Sequence, residues 1–599
     1  MQLAEAHAVL KRVFGFDSFR AVQEAVIARV LAGENTLALM PTGAGKSLCY
    51  QLPALARAGT AIVVSPLIAL MHDQIRAATA LGIRAASMTS ADNDNAATAR
   101  ALRDGALDLL YVAPERATSP GFRALLSDAD IALFAIDEAH CVSEWGHDFR
   151  PDYRGLRPVL DAFAQVPRLA LTATADEATR ADILRQLGIP EEGLVKAGFD
   201  RPNIRYTIRP KSGGARQIAD FVAQTPGAGI IYTASRKGAE DLAAKLAGKD
   251  RPVGVYHAGL PPEERARTQA AFVASEDMVM VATIAFGMGI DKPDVRFVVH
   301  AGLPKSIEAY YQETGRAGRD GDPAEACLFW SPGDFTKARQ WLGEACEDRL
   351  PFERARLNAL AALIEAPTCR RAILLKHFGE TPSESCGNCD NCLDPPKVLD
   401  VTELARKLLS AVYRTQQSFG MGHIENVLLG REDERVRSRG HDRLSVFGIV
   451  GAEEAALLKP VQRALAAGDM LATTQHGGLA LGPAAREVLK GERPVVIAEP
   501  PPKPARRSGR SSAGARGDGA VPAHPNDPLF EALRARRAAL AKEHAVPAYI
   551  IFHDSVLRAL AAERPHTLEQ MGRIQGIGEK KLEAWGGAFL EALREFDGS

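Results

Sequence analysis

Several things are scarce in this 599-residue chain, and each scarcity excludes a class of protein. It has no run of about 18 apolar residues, so no segment offers itself as a membrane-spanning helix. Its first residues, MQLAEAHAVLKRVFGF, lack the unbroken apolar core of a secretion signal. A cytoplasmic protein of bacterial style is expected. Eight cysteines are too few for a disulfide framework. An excess of charge of one sign is also missing. With 73 Lys and Arg against 74 Asp and Glu the net charge is -1, so a surface meeting a polyanion must be a local patch. Aromatics make up only 6%, so two large rings in one polar loop, Trp145 and Phe149 in SEWGHDFRPDY, need a reason.

What is present is ordinary in bulk and specific in detail. Hydrophobic content of 46% and charge of 25% suit a globular protein. The length is too great for one core, and about three to five domains are expected. From about Leu37 to Val299 short apolar runs such as TLALM, AIVVSP, DLLYVAP and IALFAIDEAH alternate with helical stretches, and the pattern resumes with AGIIYTAS, VGVYHA, MVMVATIA and VRFVVHAG. Strands alternating with helices imply parallel sheets covered on both faces. AGFDRPNIRY, around Asp200, reads as the passage between two such α/β lobes.

MPTGAGKSLCYQLPAL follows an apolar strand and opens a helix. Thr42, Gly43 and Gly45 would let backbone amides close around phosphate oxygens, with a helix N-terminus adding positive potential. Lys46 would reach the outer phosphates and Ser47 would ligate Mg²⁺. Met40 stands where the strict pattern has a small residue. FAIDEAH supplies the second half: Asp137 to hold Mg²⁺, Glu138 to polarise the attacking water, and His140 at the edge of the site near the second lobe. The two motifs together predict an ATPase.

The ordered motifs resemble those of the RecQ family of superfamily-2 DNA helicases, nearly from end to end. FGFDSFRAVQ resembles the family's adenine-reading segment, which implies Phe16 stacking on the base and Arg20 and Gln23 at its edge; Ala21 and Val22 replace the usual Pro-Gly. VVSPLIALMHDQ, YVAPER and LTATA resemble strand-tracking and lobe-coupling motifs. YYQETGRAGRDG supplies Gln312, Arg316 and Arg319; the arginine spacing fits neighbouring turns of one helical face, from which one or both would reach the γ-phosphate. As isolated residues they read equally as solvated surface charges. SEWGHDFRPDY resembles the family's aromatic-rich loop. The resemblance makes Trp145, His147, Phe149 and Arg150 DNA-binding residues, with the two rings stacking on unpaired bases for about 1–3 kcal/mol each. A gap filled between lobes is the structural alternative.

CRRAILLKHFGETPSESCGNCDNC sets Cys369 before Cys386, Cys389 and Cys392. Four thiolates suit tetrahedral Zn²⁺, and an iron–sulfur cluster remains chemically open. The resemblance implies a structural zinc module. Arg370 and Arg371 beside it read as DNA contacts or as caps on acidic neighbours. Cys49, Cys141, Cys327 and Cys346 are scattered and read as packed thiols.

The fold class expected is multidomain α/β. Two RecA-like parallel-sheet lobes (1–200 and 201–345) precede a zinc module (346–400), a winged helix (401–495), a Pro/Gly/Arg-rich linker (496–527) and a C-terminal helical bundle (528–599) of the helicase-and-RNase-D type. Arg437, Arg439 and Arg443 would dock duplex phosphates. Arg534, Arg536, Arg537, Lys580 and Lys581 are candidates for an auxiliary nucleic-acid patch. The implied activity is ATP-driven 3′→5′ DNA unwinding in recombination and repair, with ATP, Mg²⁺ and Zn²⁺. Single-stranded DNA, duplex junctions and a single-stranded-DNA-binding protein are the partners implied, in the bacterial nucleoid. An RNA-remodelling ATPase and a non-catalytic DNA scaffold are the competing readings.

Overall fold

The structure is a computed structural model that describes residues 3–20, 22–89, 92, 94–144, 149–248, 251–287, 292–342, 350–474, 478–499, 528–544 and 546–597. Its first sheet is wholly parallel. The strands are β1 (Thr36–Leu39), β2 (Thr60–Val64), β3 (Ala85–Met88), β4 (Leu109–Val112), β5 (Ile131–Ile136), β6 (Arg168–Thr172) and β7 (Leu194–Lys196), in the order β3-β4-β2-β5-β6-β1-β7. The apolar runs are continuous because both faces are covered: Leu37 and Leu39 pack into one layer, Ala38 and Met40 into the other.

A second parallel sheet holds β8 (Ile204–Pro210), β9 (Gly229–Tyr232), β10 (Val253–Tyr256), β11 (Val279–Ala282), β12 (Phe297–His300) and β13 (Ala324–Trp330), ordered β10-β11-β9-β12-β13-β8. The two sheets change over between Lys196 and Ile204, where the sequence places the passage. Helices Leu350–Glu365 and Arg370–His377 then pack on the β8 edge with the cysteine cluster. A separate core of Leu404, Leu408, Ile424, Val461 and Leu479 builds the next domain, with a small hairpin of Leu471–Thr473 against Leu479–Leu481.

The linker begins later than its composition suggests. Val496–Ala498 pairs antiparallel with Val398–Asp400, since Val496 and Ile497 favour extended backbone and meet an open edge there. Residues 500–527 lie outside the described residues.

Three long helices, Pro528–Glu543, Asp554–Glu563 and Glu579–Asp597, form the final bundle around Leu533, Phe552 and Phe589. It is docked on both lobes. The Gly576 amide donates to the Gly15 carbonyl at 2.7 Å, Arg537 meets Glu276 at 2.8 Å, and Arg558 meets Asp322 at 2.7 Å. Arg534 also pairs with Glu276, Arg536 with Glu591 and Lys580 with Glu583. Four members of the basic patch therefore face carboxylates of the chain itself. No helix of the described residues is long and apolar enough to cross a membrane.

Candidate nucleotide cleft and metal centre

The phosphate loop leaves β1 and enters helix Leu48–Ala56. Gly43 and Gly45 have φ of 83° and 75°, values that L side chains rarely adopt. A Cβ on Gly45 would lie 2.5 Å from the Gln23 amide nitrogen. That amide donates to the carbonyls of Ala44 and Gly45 at 2.9 and 3.2 Å, and its oxygen accepts from the Arg20 amide at 2.8 Å. Gln23 thus ties the base-reading segment to the loop itself. Phe16 is half-buried, 5.5 Å from the exposed Arg20 guanidinium. Lys46 points back along the loop, its Nζ 3.4 Å from the Met40 carbonyl, and Ser47 begins the helix.

Asp137 continues β5, its amide bonded to Val64 at 2.9 Å and its carbonyl accepting from Tyr153 at 3.1 Å. Burial, then the Glu138 charge, push its pKa up to about 7, with Lys46 opposing. A half-buried carboxyl with a raised pKa in that position favours a divalent cation as partner, so Asp137 and Ser47 fit Mg²⁺ chemically. Glu138 holds φ 47° and ψ 47°, a left-handed conformation unusual for a side-chain-bearing residue and typical of functional sites. His140 is fully buried and adjoins the acidic pair; its Nδ1 lies 3.0 Å from the Thr172 hydroxyl in LTATA and 3.3 Å from Glu138.

The arginines depart from expectation. Helix Ile307–Thr314 carries the buried Gln312 and stops at Gly315, so Arg316 and Arg319 lie on a turn, not on a helical face. Two glycines in four residues break the helix, and Gly318 takes φ 56°. Arg316 is buried in its own lobe beside Tyr232 and Gly287. Arg319 lies against the first lobe: a Cβ on Gly43 would lie 3.3 Å from its Cα and Cγ. Thr42 donates to the Gly315 carbonyl at 2.9 Å, closing the same seam.

One residue of this seam escaped the sequence reading. Arg201 donates to the carbonyls of Thr42, Gly315, Ala317 and Gly318 at 2.6, 3.1, 2.9 and 2.8 Å. No motif marks it, because its partners are backbone oxygens far away in the chain.

Of the aromatic loop, Trp145 and His147 lie outside the described residues. Phe149 is half-buried, with the Arg154 guanidinium 5.2 Å from its ring centre. Arg150 donates to the Pro66 carbonyl at 2.9 Å, which anchors the loop's end to the first lobe.

The sulfurs of Cys369, Cys386, Cys389 and Cys392 lie within 4.8 Å of one another. The Cys386–Cys392 and Cys369–Cys389 separations are 3.9 and 4.0 Å. A zinc tetrathiolate with bonds of about 2.3 Å has edges of about 3.8 Å, so the cluster is shaped for Zn²⁺. Burial opposes ionisation of Cys392, but the Ser385 hydroxyl and neighbouring amides bring its pKa down to about 6. Arg370 and Arg371 are buried caps. The first donates to Leu363, Ile364 and Ala366 carbonyls and to Asp390, the second to Pro202 and Ile204 carbonyls. Cys49, Cys141 and Cys327 are buried, and Cys346 lies outside the described residues.

Five family profiles match in order: DEAD/DEAH box helicase (20–183), helicase conserved C-terminal domain (215–321), RecQ zinc-binding (332–393), RQC domain (395–506) and HRDC domain (526–593). The chain is 42% identical over 594 residues to the ATP-dependent DNA helicase RecQ of Pasteurella multocida, covering 98% of this chain and 93% of that one. It is 42% identical over 597 residues to the Haemophilus influenzae protein of the same name, covering 98% and 96%. Its identity to the Bacillus subtilis protein of that name is 37% over 602 residues, covering 99% of each.

Proposed function

The chain belongs to the RecQ family of ATP-dependent DNA helicases, and on that premise we propose how its residues couple ATP hydrolysis to movement on DNA. The observation that carries the reading is the seam between Arg319 and Gly43, where the backbone and side-chain stem of an arginine of the second lobe abut the phosphate loop of the first. Lys46 and the loop amides hold the phosphates, Glu138 orients the attacking water, and Arg319 meets charge developing on the γ-phosphate. Mg²⁺, held by Ser47 and Asp137, would supply further charge at the phosphates. Because binding groups sit on both lobes, ATP closes the seam and hydrolysis loosens it.

Single-stranded DNA is the substrate of the movement. Trp145 and Phe149 stack on bases, and the loop carrying them leaves directly from Asp137 and Glu138. A gripped base therefore repositions Glu138 and makes hydrolysis DNA-dependent. Translocation runs 3′→5′ and serves recombination and repair in the nucleoid, alongside a single-stranded-DNA-binding protein; these finer points rest on the family alone. The winged helix positions duplex through exposed Arg439 and Arg443.

The test is ATP turnover with and without single-stranded DNA, in the parent and in Trp145→Ala, with strand separation measured on DNA-tailed and RNA-tailed duplexes. DNA should stimulate the parent strongly and Trp145→Ala weakly, while the variant still binds DNA. Equal stimulation of both defeats the coupling role. Preference for RNA tails would favour the remodelling reading, and unwinding by Lys46→Ala would favour a scaffold.

A further inference from the structure

The segment between the lobes is gripped on two sides. On one side Arg201 holds the phosphate loop through the Thr42 carbonyl and the arginine turn through Gly315, Ala317 and Gly318. Asn203 reinforces the turn, donating to Gly318 and Asp322 carbonyls at 2.8 Å each. On the other side the zinc module holds the same few residues. Arg371 donates to the carbonyls of Pro202 and Ile204 at 3.3 and 2.6 Å and lies 3.4 Å from Asp200. Asn388, between two of the cysteines, donates to Pro202 at 3.0 Å. Phe378 stacks on Phe199 with centres 4.9 Å apart and touches Tyr311, whose hydroxyl donates to the Phe199 carbonyl at 2.6 Å.

We propose that Arg201 is a positioning residue for ATP hydrolysis, locking the phosphate loop to the arginine turn, and that the zinc module sets where Arg201 stands by bracing the hinge residues Phe199 to Ile204. The proposal deepens the ATPase reading above and rests on it. Its physical basis is geometric. A guanidinium is a planar fork that can serve several carbonyls at once, and here it serves oxygens from both lobes. Three of the four belong to the turn that carries Arg319, so the fork fixes that turn relative to Thr42. No carboxylate is among these four partners, so the position is defined by backbone oxygens that shift whenever the lobes shift. Opening the seam must break either the Thr42 bond or the bonds to the turn. Arg201 thereby favours the closed arrangement in which Arg319 faces Gly43. The brace matters because a hinge free to slide would carry the fork away from both sets of oxygens. Two hydrogen bonds on the Pro202 carbonyl, from Arg371 and Asn388 towards either end of the cysteine module, together with the Arg371 bond to Ile204, remove that freedom.

The experiment uses the full-length chain. Arg201→Lys keeps the charge but loses the fork, and Arg201→Gln loses both. Each should lower kcat of DNA-stimulated ATP turnover by about 10²-fold, the scale of a misplacement of about 1 Å, with KM for ATP nearly unchanged because Lys46 and the loop remain. Combined with Arg319→Ala, Arg201→Gln should add little further loss, since both act through one contact. Hydrogen exchange at the amides of residues 315–318 should quicken in either Arg201 variant, a readout independent of turnover. Asn388→Ala keeps all four cysteines; it should retain zinc and lower kcat severalfold. Parent-like kcat in Arg201→Lys, or losses from Arg201→Gln and Arg319→Ala that simply multiply, would overturn the positioning role. Unchanged kcat in a zinc-loaded Asn388→Ala would overturn the brace. A parent chain without ATP turnover would instead defeat the reading on which both rest.

Discussion

Arg316 and Arg319 are three residues apart and do different work. Arg316 is 4% exposed and serves the interior of the second lobe beside Tyr232, whereas Arg319 stands against the phosphate loop. Arg319→Ala should lower kcat by about 10³-fold, the scale of a trans-acting arginine, with the melting temperature unchanged. Arg316→Ala should lower the melting temperature because it leaves a buried tyrosine hydroxyl with one partner fewer. Steady-state kinetics beside calorimetry separates the two, and the reverse pattern would exchange their roles. Glu138 should behave differently again. Its left-handed backbone is set by the strand end, so Glu138→Gln keeps the fold and nucleotide binding while turnover falls by about 10²–10⁴-fold. The phosphate loop and acidic pair were legible because each is a contiguous run whose residue types have few other uses. Arg201 was not, since carbonyl partners leave no mark on composition. His140 adjoins Glu138, but its full burial was not legible, because sequence proximity to a site does not say how deeply a ring is covered.

At the scale of elements, the cysteine spacing announced a metal centre, and the sulfur separations bear out its shape. Cys369 does double duty: its sulfur accepts from the Ala372 amide at 3.4 Å and caps helix Arg370–His377. Removing the metal, or making Cys389→Ser, should therefore release zinc and loosen that helix, with hydrogen exchange rising across residues 369–393. If exchange stays parent-like after zinc loss, the metal is dispensable for the module. A second bond fastens the same helix to the lobe. His377 meets Glu308 at 2.5 Å, and Glu308 is 4% exposed. Burial opposes ionisation of Glu308, but the His377 contact, with help from Ser306 and Arg356, outweighs it and holds the pKa down to about 2 against an ordinary 4.5. A depressed carboxylate contributes stability that is fully present above the unfolded value and lost as pH falls through the folded one. The contribution, about 3 kcal/mol by linkage, should thus fade between pH 4.5 and about 2. Glu308→Gln should lower stability near neutrality and flatten the acid limb in that window; an unaltered limb would show that the pair contributes nothing. The strand runs read from sequence omit β8 and β13, which lie in or beyond the stretches read as passage and as the end of the second lobe, and the edge strands β3 and β7. AASM has too little apolar bulk to signal a strand, and LVK is too short; each is recruited by a neighbour's open edge.

For the whole molecule, the arrangement of domains in sequence was readable from composition, but their contacts in space were not. The basic face of the C-terminal bundle illustrates why. Arginines at 534 and 537 read as a phosphate-binding patch, yet Glu276, a single residue some 260 positions away, takes both. A charge count cannot distinguish a free patch from one matched to a distant carboxylate. The docking that results spans both lobes: Arg558–Asp322 and the Glu276 pairs on the second, Gly576 to Gly15 on the first, next to Phe16. The ionic part of this attachment includes the partly exposed Arg534 and Arg558 as well as the buried Arg537, while the bundle's own core is apolar and separate. Salt screens the former and leaves the latter nearly untouched. Raising ionic strength should therefore quicken hydrogen exchange at the Gly576 amide while amides around Leu533 and Phe589 stay protected. Glu276→Gln should reproduce the effect at low salt, with exchange faster by about tenfold, the scale of two modest ion pairs lost together. Arg558→Gln should give a smaller shift in the same direction, since that guanidinium is more open to water. Were Gly576 to remain protected in all three cases, the bundle would be held by packing against Gly15 and not by charge, and its arginines would be free to meet another polyanion without leaving the core.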